Sequence, residues 1–232
     1  LPEQDLIYQS EAEGYERLIR HEDYRGNLMR ALQEIISPVG KTVIDLGAGT
    51  GRFTRAFTGS AGRIFAIDIS SHMLTFARAK LVLGESGRWC LAVGDNRCLP
   101  LRSRFADIVI AGWSFGHATV WHGDLWRDDV AKCVSEMIRV LRRGGTAIIC
   151  ETLGTGSVEP GAPTSALGDY YRYLESELGF ARRQISTDYM FPSVDEAVET
   201  IRFFFGDKLA AKVRANGWNT VPEWTGVWWR TI

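Results

Sequence analysis

The chain changes rhythm near Gly40. Before it, the stretch EGYERLIRHEDYRGNLMRALQEIIS sets Leu18, Leu28, Leu32, Ile35 and Ile36 at helical spacings, which predicts one or two amphipathic helices within about residues 1–38. After it come short apolar runs, KTVIDL, GRIFAID, WCLAVGD, FADIVIAG and GTAIICE, bounded by Gly, Asp or Pro. Such runs predict strands buried on both faces. Residues 51–59, 71–82 and 124–142 between them carry helical patterns, so strand and helix alternate. That alternation predicts a parallel sheet covered by helices on both faces. Beyond Glu151 the stretch TLGTGSVEPGAPTSALG predicts a Gly/Pro-rich connection. A helix, DYYRYLESELG, follows it, then a strand within 181–190, a helical insert over about 193–216 and a last strand, WTGVWWRTI.

Composition narrows the class. With 232 residues and 45% hydrophobic content, one domain with its own core is expected over residues 1–232. Lys and Arg total 27 against 28 Asp and Glu, which supplies no field for gripping a phosphate backbone, so no nucleic-acid partner is expected. The cysteines, Cys90, Cys98, Cys133 and Cys150, lack the close pairs of a zinc site and read as reduced, mostly buried thiols of a cytoplasmic protein. No run reaches the roughly 18 apolar residues of a membrane span, and the opening stretch is too acidic for a secretory signal.

The candidate chemistry begins at VIDLGAGTGRF. Glycines behind a buried strand let backbone pass close to a ligand, and the amides that open the next helix suit polar or anionic groups. Gly47, Gly49 and Gly51 read G-x-G-x-G, with Arg52 where a dinucleotide binder would place its third glycine. Asp45, before the first glycine, suits a cationic group such as an amine rather than a diphosphate. Asp68 ends the second strand, from where a carboxylate can accept both hydroxyls of a ribose. Asp95 and Asn96 close the third and suit the rim of an adenine. Each acid alone also reads as a helix cap or turn former, and Met73 alone reads as core.

VIDLGAGTGRF, FAIDISSHML, GDNRCLPL and LRRGGTAIICE resemble, in order and spacing, the motifs of class I S-adenosylmethionine-dependent methyltransferases of the small-molecule type. The resemblance covers roughly residues 11–151. It implies a Rossmann-like, doubly wound, seven-stranded α/β sheet, mostly parallel, with a C-terminal antiparallel hairpin. It also implies S-adenosyl-L-methionine as cofactor and S-adenosyl-L-homocysteine as product. Carried over, Asp45 would bind the amino group through the turn, and Gly47, Ala48, Gly49 and Gly51 would approach the amino acid and ribose. Asp68 would take the ribose hydroxyls, Ile69 and Met73 would pack on the adenine, and Asp95 with Asn96 would meet its edge. Ala48 is an accepted variant between the first glycines, and Arg143-Gly144-Gly145 replaces the usual Pro-Gly-Gly.

The acceptor is expected beyond the fourth strand, at AGWSFGHATVWHGDLW. There Gly112 would let backbone approach the methionine part, Trp113 and Phe115 would wall the methyl group, and His117 is the candidate general base, with a loop hydrogen bond as its plainer role. His122 is placed at the start of the long helix. The aromatic set Phe203, Phe204, Phe205, Trp218, Trp224, Trp228 and Trp229 reads as core first and as an acceptor-pocket roof second. Tyr8, Tyr15 and one face of 197–205 are lid candidates, which makes the N-terminal helices and the insert a candidate active-site lid. No metal constellation is expected. The expected reaction methylates O, N or C of a small, partly apolar metabolite. The rival readings are a non-catalytic S-adenosylmethionine-binding partner protein and an NAD-dependent oxidoreductase.

Overall fold

The computed structural model describes residues 12–82, 88–121 and 123–232. Its main sheet takes the order β3-β2-β1-β4-β5-β9-β6, built from β1 (Thr42–Leu46), β2 (Arg63–Asp68), β3 (Trp89–Val93), β4 (Ala106–Gly112), β5 (Leu141–Thr155), β6 (Ala181–Ser186) and β9 (Glu223–Thr231). β1 pairs in parallel with β2 and β4, β2 with β3 and β4 with β5. β9 runs antiparallel to both its neighbours. The expected seven-stranded, mostly parallel α/β sheet with an antiparallel C-terminal pair is the observed one.

Strand alternation explains why helices cover both faces. Ile44, Leu46, Val109, Ala111, Ala147 and Ile149 enter one core with the helices Trp126–Val140 and Ser165–Ser176. Their neighbours Val43, Ile108, Ile110, Ile148 and Cys150 enter a second core with Leu28 and Leu32 of helix Asn27–Ile35 and Phe53 and Phe57 of helix Arg52–Phe57. Continuous apolar runs therefore supply two faces at once.

Four expectations change. β3 is an edge strand and none of its residues is fully buried, so it is not covered on both faces. Cys90 on it is exposed, as is Cys98, while Cys133 and Cys150 are buried. β5 continues to Thr155, opposite Glu223, so the Gly/Pro-rich connection starts four residues later than its composition suggests. The strand read within 181–190 breaks at Thr187 and Asp188 into β6 and a short β7 (Tyr189–Met190), which pairs antiparallel with β8 (Thr220–Val221).

That ribbon closes the base of the insert. Ser193 Oγ accepts the Glu196 amide at 3.1 Å and so caps helix Val194–Phe205, and helix Asp207–Ala215 follows Gly206. Ala197, Ile201, Phe204 and Val213 of the insert pack with Leu18 of helix Ala12–Ile19 in a third apolar cluster. The insert thus meets the N-terminal helix rather than the sheet face.

Candidate active site

A cleft of about 270 Å³ lies at the carboxyl ends of β1, β2, β3 and β4, where ligands of doubly wound sheets sit. Its floor is the glycine turn. Gly47, Gly49 and Gly51 adopt φ of 65°, 53° and 84°, a left-handed region that side chains disfavour. A Cβ on Gly47 would lie 2.2 Å from Ser114 Oγ, whereas one on Gly49 would meet only Met73 Cε, at 3.5 Å. Asp68 holds the turn from β2: Oδ2 accepts the Gly49 amide at 2.7 Å and Oδ1 the Ser70 amide at 2.8 Å. Burial raises its carboxyl above the usual range, and the two amides oppose that rise.

Asp45, Gly47, Ala48, Gly49, Asp68, Ile69, Met73, Asp95, Asn96, Gly112, Trp113 and His117 all line the cleft; Gly51 does not. A Cβ on Gly51 would lie 3.2 Å from Ala77 Cβ, so this glycine serves the packing of the turn on helix Ser71–Val82. Asp45 is buried, and its Oδ2 accepts both the amide and the hydroxyl of Thr54, at 2.9 and 2.6 Å. Burial lifts its carboxyl to about 6 against those bonds. Asp45 therefore ties β1 to the helix after the turn, and Oδ1 accepts no hydrogen bond among the described residues. Met73 is buried as well as cleft-lining, which joins its two sequence readings, while Ile69 stands exposed at the rim. Asp95 is gripped by Arg97, whose guanidinium also reaches Asp129 at 3.3 Å. Asn96 Nδ2 donates to Ser114 Oγ at 3.2 Å, and its Oδ1 is buried with no donor.

On the acceptor side, Gly112 is narrow because of Phe53: a Cβ there would lie 2.2 Å from Phe53 Cε2. Trp113 takes φ 49°, a conformation that persists where surroundings over-determine it. Its ring is parallel to Phe53 at 5.9 Å, and the Arg52 guanidinium lies over it at 4.2 Å. His117 stacks on Trp121 at 4.7 Å. The turn that carries it, Phe115–His117, is held from β5, where Glu151 accepts the Gly116 amide at 2.9 Å and the Tyr170 hydroxyl at 3.3 Å. Burial pushes the Glu151 carboxyl up to about 7.

Sequence reasoning missed several of these groups. Arg52 was visible only as a break in glycine spacing, and Arg97, Trp121 and Glu151 lay inside the quoted stretches with no role assigned to them. Tyr15, a lid candidate, lines the cleft; burial raises its phenol. The aromatic set Phe203, Phe204, Phe205, Trp218, Trp224, Trp228 and Trp229 contributes nothing to the cleft lining, and most of it packs in the cores. Tyr8 and His122 lie outside the described residues.

The family model described as "Methyltransferase domain" matches residues 44–149. A demethylmenaquinone methyltransferase from Parafrankia sp. (strain EAN1pec) is 32% identical over 212 residues, spanning 83% of this chain and 73% of that protein. The chain belongs to the class I S-adenosylmethionine-dependent methyltransferases. A second relative of this methyltransferase, a malonyl-[acyl-carrier protein] O-methyltransferase from Yersinia pestis, is 26% identical over 208 residues, or 88% of this chain and 72% of that one. The fold is shared with phosphoethanolamine N-methyltransferase 2 of Haemonchus contortus, solved in complex with S-adenosyl-L-methionine. There the TM-score is 0.56 at 17% identity, over 90% of this chain and 53% of that one.

The methyltransferase uses S-adenosyl-L-methionine, and its cleft fits that molecule. The glycine turn leaves a cradle that side chains would fill, and the buried Asn96 Oδ1 awaits a donor such as an adenine amino group. Among the described residues, no group of three or more His, Cys, Asp or Glu could hold a metal ion, and no helix is long and apolar enough to cross a membrane.

Proposed function

We propose that this methyltransferase methylates an oxygen, nitrogen or carbon of a small, partly apolar metabolite. The observation that carries this reading is the cleft itself, where the glycine turn and Asp68 adjoin a wall of Tyr15, Trp113, His117 and Trp121. The bound donor supplies an electrophilic methyl on a sulfonium. The residues that would hold it are Asp68 at the ribose, Met73, Ile69 and Asn96 around the adenine, with Asp95 beside it held by Arg97, and Asp45, Gly47, Ala48 and Gly49 at the amino-acid end. Gly51 supports the turn from behind. Gly112 and Trp113 bound the space toward the acceptor.

In-line methyl transfer depends on alignment and exclusion of water. Helix Ala12–Ile19 is the proposed cover. It puts Tyr15 into the cleft, and its Glu16 accepts the Thr50 hydroxyl at 2.8 Å and pairs with Lys80. The insert over 193–216 backs that helix, so the chain would act as one domain. His117 is the proposed base for an acceptor that holds its proton. The relatives named above carry two different acceptors in their names, demethylmenaquinone and malonyl-[acyl-carrier protein], which supports methyl transfer without selecting one of them.

The test is to incubate the protein with isotopically labelled S-adenosyl-L-methionine and metabolite extracts, and to follow labelled products by mass spectrometry. Label is expected in a small molecule, with S-adenosyl-L-homocysteine formed in equal amount. Label that enters only macromolecules would reject the acceptor class.

A further inference from the structure

Arg52 is the first residue of its helix, directly after the glycine turn, and it lines the cleft. Two arginines and no lysine are in that lining. Arg97 is spoken for: it binds Asp95 through Nε and Nη2 and reaches Asp129 through Nη1. Arg52 is bound differently. Its Nη1 donates to Glu22 Oε2 at 2.8 Å, which accounts for one of five N–H groups in the guanidinium fork. Its side chain is 20% exposed and none of its nitrogens is among the buried side-chain atoms left without a partner, so the other donors reach solvent on a residue that lines the cleft.

The surroundings fix the group and leave it charged. The guanidinium lies on the Trp113 ring at 4.2 Å, which sets its plane. The Glu22 side chain is 4% exposed. This buried carboxylate orients the fork from behind through Nη1 without occupying its open edge.

We propose that Arg52 recognises the acceptor, and that the acceptor presents an anionic oxygen group, a carboxylate or its delocalised equivalent, to the open edge of this guanidinium. The apolar body of the same molecule then lies along Tyr15 and Trp121. The proposal rests on the cleft being the methyl-transfer site. It narrows the acceptor from partly apolar to partly apolar and anionic, since a planar fork in a half-buried setting favours a carboxylate over a neutral amide of the same shape.

A matched pair of probes tests it. Calorimetry on protein saturated with S-adenosyl-L-homocysteine should show 1-naphthoate binding at least about tenfold tighter than 1-naphthamide. Arg52→Gln should abolish that preference while leaving S-adenosyl-L-homocysteine affinity within about twofold. Glu22→Gln should strengthen naphthoate binding, because it removes the competing charge; a purely structural ion pair predicts the opposite, loss of stability and of binding together. Equal affinity for the two probes in the wild type, or no measurable naphthoate binding, would overturn the proposal. So would an Arg52→Gln protein that loses S-adenosyl-L-homocysteine but keeps 5′-methylthioadenosine, since the arginine would then serve the carboxylate of the methyl donor. Failure of S-adenosyl-L-homocysteine to bind the wild type is a distinct result and would remove the reading of the cleft itself.

Discussion

The amide of Gly49 donates to Oδ2 of Asp68 at 2.7 Å. The glycine turn after β1 and the acid that ends β2 are therefore one hydrogen-bonded unit, and the carboxylate is oriented before any ligand arrives. A carboxylate preorganised in this way would hold the proposed ribose hydroxyls without further ordering. Asp68→Ala should weaken S-adenosyl-L-homocysteine binding by about 1.5–3 kcal/mol in a folded protein. Asp68→Asn keeps one oxygen for an amide and should lose less. Unchanged affinity of the alanine variant in calorimetry would exclude the ribose role.

Gly47 and Gly49 look alike in sequence and differ in space. Alanine at Gly47 combines a left-handed φ with a Cβ 2.2 Å from Ser114 Oγ, whereas at Gly49 the nearest atom is Met73 Cε at 3.5 Å. Each backbone conformation costs about 1–2 kcal/mol for an L side chain. Gly47→Ala should therefore lower the melting temperature more than Gly49→Ala, and adding Ser114→Gly should restore part of that loss only in the Gly47 variant. Gly49→Ala should fold and bind cofactor poorly, because its methyl group enters the cleft. Thermal melts with and without S-adenosyl-L-homocysteine check both, and normal binding by Gly49→Ala would dissociate the turn from the site.

The fold was legible because buried strands and amphipathic helices leave periods in the chain, and the glycines and acids at strand ends occupy positions set by those periods. Pairings across elements leave no period. Arg52 and Glu22 are 30 residues apart, and Glu151 meets Gly116 across 35; a sequence records neither separation as contact. Asp95 was legible as an acid at a strand end, but its capture by Arg97 was not. The aromatic residues read as core first, and most of them pack there, but composition counts rings without saying which core each one enters. Edge position misled for β3, where an apolar run and a one-sided environment look identical until neighbours are assigned.

His117 lines the cleft on a turn whose Gly116 amide is held by the buried Glu151. If His117 takes the acceptor's proton, His117→Ala should reduce kcat by about a hundredfold or more with cofactor affinity unchanged. An acceptor that is already nucleophilic would leave kcat nearly intact and place the defect in acceptor KM. Glu151→Gln separates chemistry from placement. It keeps the oxygen for the Gly116 amide and removes a group titrating near pH 7, so any inflection that survives in its pH–rate profile belongs to another residue. An inflection near 7 that disappears in Glu151→Gln and persists in His117→Ala would take His117 off the catalytic list.

Glu223, at the start of β9, is buried; its Oε1 accepts the Thr152 hydroxyl at 2.9 Å and its Oε2 has no partner. Burial, then the nearby Glu22, push its carboxyl up to about 8 from 4.5. Below pH 4.5 folded and unfolded chains both hold the proton, and the stabilising contribution of the neutral acid is complete. Between 4.5 and 8 the unfolded chain has released the proton while the folded chain keeps it, so stability falls as pH rises, and the loss levels off above 8. Asp45 at about 6 and Glu151 at about 7 act with the same sign, so a falling wild-type curve alone does not isolate Glu223. The difference between two proteins does. Glu223→Gln retains the shape and the Thr152 contact but cannot ionise, and should match the wild type near pH 4 while exceeding it by about 1–3 kcal/mol at pH 9. Urea unfolding of both proteins across that range measures the gap, and parallel curves would mean that Glu223 does not change its charge on unfolding.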